Sequence, residues 1–172
     1  MTSSPKPGGP FGSSLPIKHK LPVVPNRLNQ DCSAEGPNQK WVADITYIPT
    51  VEGRLYLAGV VDLYSRRIAG WAMRNSLHRH VVINALQMAI LTRQPGPGLS
   101  HHSDRASQYA SADYQTLLID AKMVGSMSRK GNCDDNAPVE SFFGTFKTEL
   151  VFQRQYETHT EARLDIFEYI EV

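Results

Sequence analysis

Apolar residues fall along the chain in two kinds of run, compact ones without a repeat and longer ones with a helical repeat. Trp41, Val42, Ala43, Ile45, Tyr47 and Ile48 form the first compact run, rich in β-branched and aromatic side chains and ended by Pro49, which predicts a strand. Val51-Glu52-Gly53 reads as a turn, and Leu55 to Leu63 as a second strand. A turn around Ser65-Arg66 leads into a third strand, Ile68 to Met73, and three such runs in succession predict an antiparallel meander. The pattern then changes period. Val81, Val82, Ala85, Leu86, Met88, Ala89 and Ile90 recur as on one helix face, and QPGPG at 94–98 ends that helix because proline and glycine cannot continue it. Leu99 to Ser103 is a short strand leading into Asp104. Ser111 caps a helix with Tyr114, Leu117, Leu118 and Ala121 inward, and Met123 to Met127 is a fifth strand.

A third helix starts near Pro138, which suits the first turn because its missing N–H is not needed there. Asn136 stands where a side-chain cap is expected. Phe142, Phe143, Phe146 and Leu150 give this helix an apolar face, while Glu140, Gly144 and Lys147 share another stripe. Gly144 is expected to let a bulky partner approach beneath Glu140. Thr158 and Glu161 form a capping box for a fourth helix carrying Ala162, Ile166, Tyr169 and Ile170. Its pattern is still running at Val172, which reads as a core truncated at its C-terminus. The order βββαβαβα predicts a mixed five-stranded α/β sheet flanked by helices.

Residues 1–37 lack this patterning. They hold seven of the eleven prolines together with much Gly and Ser, and read as an N-terminal arm or linker ahead of a core at 38–172. LPVVPNRLN within it suits an extended path along a neighbouring surface. Composition adds limits. A hydrophobic fraction of 41% with 20% charged residues is ordinary for a globular chain, and a net charge of +1 does not by itself mark a nucleic-acid binder. Cys32 and Cys133 have neither zinc-site spacing nor the numbers of a disulfide framework. No apolar run approaches the ~20 residues of a membrane span, and no signal peptide opens the chain. A cytoplasmic setting is expected.

Charged residues inside apolar runs carry the chemistry. Asp44 sits among Val42, Ala43 and Ile45, where an ionised carboxylate is costly unless compensated. Asp104 follows the end of a strand, where sheet proteins with crossover helices collect ligands. Taken singly, Asp44 suits an ion pair with an arginine and Asp104 a cap for the following turn. With Glu140, they make an all-oxygen set of the kind that suits Mg²⁺ or Mn²⁺. Asp62 reads as pairing with Arg66 or Arg67 across the second hairpin. His102 reads as a hydrogen-bonded structural histidine, and Cys133 has no near-sequence histidine to make it a nucleophile.

The runs WVADITYI, VVDLYSRRIAGWAM, HSDRASQYAS and SMSRKGNCDDNAPVESFFGTFKTEL closely resemble the integrase core of bacterial insertion-sequence transposases, the DDE family related to retroviral integrases. The resemblance covers roughly Pro37 to Val172, and the 35 residues between Asp104 and Glu140 reproduce the D,D(35)E spacing of that family. It implies an RNase H-like fold and a polynucleotidyl transferase that cuts a strand at its element's ends and joins the freed 3′-hydroxyl to another phosphodiester. Two Mg²⁺ or Mn²⁺ ions are implied, one between Asp44 and Asp104 and one held by Glu140 with one of the aspartates, and no small-molecule cofactor. Implied partners are DNA, at element ends and target, and further copies of the chain, with the nucleoid as the place of action. Lys147, Arg129 and Lys130 are expected to contact DNA phosphates. The chain departs from the family pattern at Asp134, usually aromatic, and Ala106, usually glycine. Helix-turn-helix segments that usually precede the family core are not visible. The competing readings are a truncated, non-catalytic remnant that binds DNA or oligomerises, and a nuclease of the same fold that only hydrolyses.

Overall fold

The computed structural model describes residues 24–29, 31–128 and 136–172. Its strands are β1 (Lys40–Thr50), β2 (Gly53–Asp62), β3 (Ile68–Arg74), β4 (Ser100–Ser103) and β5 (Val124–Met127). Its α-helices are α1 (Arg79–Arg93), α2 (Ala112–Asp120), α3 (Ala137–Glu149) and α4 (His159–Glu171), with a 3-10 turn at Val151–Gln153. Element order and type agree with the pattern of the sequence, and the bounds shift by a residue or two, the usual fraying of element ends. The strands form one sheet in the order β3-β2-β1-β4-β5, antiparallel across β1, β2 and β3 and parallel from β1 to β4 to β5.

β1 is the central strand and is covered on both faces, which is why its first half reads as an unbroken apolar run. Because side chains alternate along a strand, Trp41 and Ala43 join one core with Ala58, Val60 and the buried faces of α1 and α2. Val42 and Ile48 join a second core with Leu55, Leu57, Val61 and the apolar faces of α3 and α4. α1 packs on β3 at Gly70, where an added Cβ would stand 2.3 Å from the Ala85 carbonyl oxygen and 2.5 Å from the Ala89 nitrogen. Only glycine lets helix and strand approach that closely.

The caps match expectation in part. Ser111 accepts from the Tyr114 N–H, and Thr158 from the Glu161 N–H at 3.1 Å. Glu161 reaches back to the Glu157 N–H at 3.0 Å, one residue beyond the cap itself. Asn136 departs from expectation. At φ −98° and ψ 3° it lacks the extended backbone that aims a capping side chain at the first turn; it makes no side-chain cap bond, and its buried Oδ1 has no hydrogen-bond partner among the described residues. Pro138 occupies the first turn as predicted.

Residues 24–28 lie against the edge strand β5. Ser126 Oγ accepts the N–H groups of Arg27 and Leu28 at 2.7 and 3.1 Å, the Pro25 carbonyl accepts from Met127 at 3.4 Å, and Leu28 is buried in the second core. That contact covers an edge otherwise open to another strand. No helix among the described residues is long and apolar enough to cross a membrane.

Candidate functional site

β1 and β4 run side by side only from Lys40 to Val42, where Val42 pairs with His102. Beyond that pair the two strands part. β1 continues toward β2 and β4 turns toward α2, which makes their carboxyl ends the switch point of the sheet, the position where open α/β sheets form crevices. Asp44 and Asp104 each stand two residues past the last pair, on the two lips of that fork.

The third acidic residue arrives from across the sheet. Asp44 is paired in register with Gly59 of β2, and an added Cβ at Gly59 would meet Phe143 Cζ at 3.2 Å and Ile68 Cδ1 at 3.3 Å. The bare backbone therefore lets the Phe143 ring seat α3 directly beside Asp44. Glu140, one turn before Phe143, is exposed at the start of the helix, and Lys147 lies two turns further on, half-buried. Gly144 borders open space, since a Cβ there meets nothing within 4 Å. Among the described residues nothing fills that space, which leaves it open to an approaching partner.

The electrostatics of Asp44 record the convergence. Burial pushes its carboxyl up to about 6, and the neighbouring Asp104 and Glu140 carboxylates push the same way. The Ile45 N–H, 2.8 Å from Oδ1, and the Lys147 ammonium pull it back. Asp104 Oδ1 accepts the Ala106 N–H at 2.8 Å, a local turn bond of the kind the sequence suggested. In each aspartate one oxygen is used locally. Among the described residues the other accepts no hydrogen bond and makes no ion pair.

The donor set is therefore all oxygen, negatively charged and self-repelling, which suits a hard divalent cation. Asp44 feels the charge of Asp104 and of Glu140, yet among the described residues no three His, Cys, Asp or Glu side chains are drawn together closely enough to form a coordination shell. Their residue types and shared location fit the ions that the sequence resemblance implies.

Other predicted residues divide. Lys147 extends over the Tyr47 ring, with Nζ 5.4 Å from its centroid. Arg129 and Lys130, with Cys133 and Asp134, lie outside the described residues. His102 is buried and bonded at both ring nitrogens, to Ser126 Oγ at 2.8 Å and Ser128 Oγ at 2.7 Å, a structural role. Asp62 does not pair with Arg66 or Arg67 through its carboxylate. Fully buried, it accepts from the Asn38 N–H at 3.0 Å and from the Ser65 N–H and hydroxyl at 3.1 and 2.9 Å. Backbone and hydroxyl donors of its own turn reach it while the arginine heads stay at the surface.

Three residues near the site had not been singled out. Tyr47 and Arg54 line one groove of about 300 Å³ with Asp44 and Asp104. Tyr109 is buried, its hydroxyl has no hydrogen-bond partner among the described residues, and its pKa is pushed well above the ordinary phenol value, first by burial and then by the charges of Tyr114, Asp44 and Asp104. Tyr47 and Tyr109 occur inside the runs WVADITYI and HSDRASQYAS, so their neighbourhood to Asp44 and Asp104 was the available signal. Nothing in the sequence marks Arg54.

The chain is similar to known proteins over most of its length. An integrase core domain model matches residues 34–133, and a second integrase core domain model matches residues 140–172. An uncharacterized 31 kDa protein of insertion element IS600 from Shigella sonnei is 46% identical over 162 residues, covering 94% of this chain and 60% of that protein. Transposase InsF for insertion sequence IS3A from Escherichia coli K12 is 48% identical over 153 residues, covering 89% of this chain and 53% of that protein. The chain thus spans between about half and three-fifths of the length of these relatives. Among solved structures, a chain of the simian T-cell lymphotropic virus intasome in complex with PP2A regulatory subunit B56 gamma superposes with a TM-score of 0.61 at 21% identity, over 77% of this chain and 45% of that one. The HTLV-2 integrase catalytic core domain in complex with magnesium gives 0.56 at 19% identity, over 67% of this chain and 72% of that one.

Proposed function

We propose, from the premise that this chain belongs to the integrase core family, that it is the catalytic core of an insertion-sequence transposase, cleaving DNA and transferring the cut strand to a new phosphodiester. One observation carries the reading. Asp104, at the end of β4, and Glu140, on α3, both act by charge on Asp44 of β1 at the mouth of the sheet's fork, although the three come from separate elements.

In this reading Asp44 and Asp104 hold one divalent ion, and Glu140 shares a second with one of the aspartates. When bound, two Mg²⁺ or Mn²⁺ ions supply Lewis acidity to the attacking hydroxyl or water and to the leaving oxygen of a phosphodiester. The remaining work belongs to the chain. The local bonds from Ile45 and Ala106 fix the rotation of the two aspartates and leave one oxygen of each presented to the groove. Phe143, seated against Gly59, fixes the height of Glu140 above Asp44. Lys147, with Arg129 and Lys130, contacts DNA phosphates and orients the strand. The catalytic core begins near residue 38, its partners are the ends of its element, target DNA and further copies of the chain, and it acts where cellular DNA lies.

The test is Mg²⁺- or Mn²⁺-dependent nicking and strand joining on DNA carrying the element's ends, comparing the wild type with Glu140→Gln. Activity abolished in a variant whose circular dichroism is unchanged is the expected result. An inactive wild type that also fails to bind Mn²⁺ in calorimetry overturns the reading in favour of a non-catalytic remnant. Nicking without strand joining would leave a nuclease of the same fold.

A further inference from the structure

Two cations are gathered on one aromatic ring at the mouth of the groove. Tyr47 lies on β1 three residues beyond Asp44 and is 42% exposed. The Arg54 guanidinium carbon stands 4.3 Å from its ring centroid, and Lys147 Nζ stands 5.4 Å from it. Among the described residues neither cation has a carboxylate within ion-pair distance. Lys40, Arg79 and Arg154 are each bound to an aspartate. Arg54 and Lys147 are instead held by a ring face, which orients a cation without neutralising it and contributes only about 0.5–1 kcal/mol at an exposed site.

Position makes this more than surface cover. Arg54 pairs in register with Pro49 and Tyr47 with Tyr56 near the turn of the β1–β2 hairpin, past the point where β4 has left β1. The groove of about 300 Å³ there is lined by Asp44 and Asp104 and, further along the hairpin, by Tyr47 and Arg54. Arg54 is the only cation among its described lining residues. A polyanion presented to the carboxylates must run past this arginine, and a planar guanidinium stacked on an aromatic ring is preorganised for a phosphate oxygen pair.

We propose that Arg54, held flat by Tyr47, is a DNA subsite of the groove, taking a backbone phosphate while the exposed part of the Tyr47 ring packs on the adjoining sugar or base. The proposal rests on the transposase reading above and adds to it the side of the site on which the strand lies. Three strand residues, the separation of Tyr47 from Asp44, span about 10 Å, a distance that one or two backbone units of a nucleic acid strand cover. The contacted phosphate is therefore close to the reacting one, about one or two nucleotides away along the hairpin.

The test is binding of a fluorescein-labelled single-stranded oligodeoxynucleotide, followed by anisotropy across a salt series in Ca²⁺, with wild type, Arg54→Ala, Arg54→Lys and Tyr47→Leu. Arg54→Ala is expected to weaken binding about 3- to 10-fold and to reduce the slope of log K against log salt by about 0.7, the loss of one single-strand phosphate contact. Arg54→Lys should keep the slope and lose part of the affinity, and Tyr47→Leu should lose affinity with little change of slope. Wild-type affinity and slope in a folded Arg54→Ala chain, or no binding by the wild type, overturns the proposal. The same preparations, assayed for nicking beside Glu140→Gln, separate the two claims. A wild type that never nicks while Arg54→Ala still lowers the slope removes the activity and keeps the subsite. Glu140-dependent nicking with an unaltered Arg54→Ala slope removes the subsite alone.

Discussion

Asp44 is surrounded by buried neighbours, and its carboxyl is pushed from 3.8 up to about 6, first by burial and then by Asp104 and Glu140. Because the folded value lies above the unfolded one, folding favours the neutral form. The contribution to stability is fully present below about 3.8 and is lost as pH rises through about 6. At 1.36 kcal/mol per unit the shift is worth at most about 3 kcal/mol. In chelator, Asp44→Asn should therefore raise Tm at pH 8 by several degrees and flatten its dependence between pH 4 and pH 7, while abolishing nicking. A lower Tm at pH 8 would show that the carboxylate is compensated inside the fold. His101 runs the opposite way. Burial lowers it to about 4 beneath the Tyr114 hydroxyl, so its contribution is present above about 6.5 and is lost as pH falls through about 4. The acidic residues were legible in the sequence because Asp44 breaks an apolar run, Asp104 follows a strand end and Glu140 stands on the polar stripe of an amphipathic helix. The Tyr47–Arg54 stack was not, because a strand aromatic and a hairpin arginine are ordinary until the register brings them together. Asp62 was misassigned for a related reason: the sequence showed arginines nearby but not that turn N–H groups would reach the carboxylate first.

At the level of elements, two glycines control the approach of two helices, with different expected consequences. At Gly70 the added Cβ would strike the backbone of α1, which cannot yield without moving the helix. Gly70→Ala should cost more than about 3 kcal/mol and lower Tm steeply. At Gly59 the nearest atoms are the tips of Phe143 and Ile68, which can give by a few tenths of an ångström. Gly59→Ala should therefore leave Tm within a few degrees of wild type while lowering nicking by roughly tenfold, because α3 carries Glu140 and small misplacements are expensive in catalysis. Equal loss of stability in both variants would show that α3 is not seated through Gly59. The repeats of three and four residues made the helices visible, and Pro138 fixed the start of α3. What the sequence lacked was which strand each helix would meet, since that depends on pairing across the sheet. Asn136 shows the same limit: its residue type suits a cap, but the backbone entering α3 turns its side chain away.

Across the whole molecule, a net charge of +1 conceals local separation of sign, with carboxylates at the fork and Arg54 and Lys147 beside them. The order of elements along the chain was readable, and so was the antiparallel meander. The placement of β1 at the centre, between β2 and β4, was not, because its two neighbours differ greatly in sequence distance. β1 meets β2 through a turn of a few residues, but Val42 meets His102 across about sixty positions. Contacts between near neighbours close faster than distant ones. The meander of β1, β2 and β3 is thus expected to assemble first, with β4 and β5 docking afterwards. In pulse-labelled exchange during refolding, amides of Leu57 to Val61 should be protected before those of His101 and Met127; the reverse order would contradict the scheme. The fork that holds Asp44 and Asp104 on opposite lips is thus also a seam in time. A chain still emerging from the ribosome carries the two carboxylates apart, and the proposed centre comes into being only once β4 has docked beside β1.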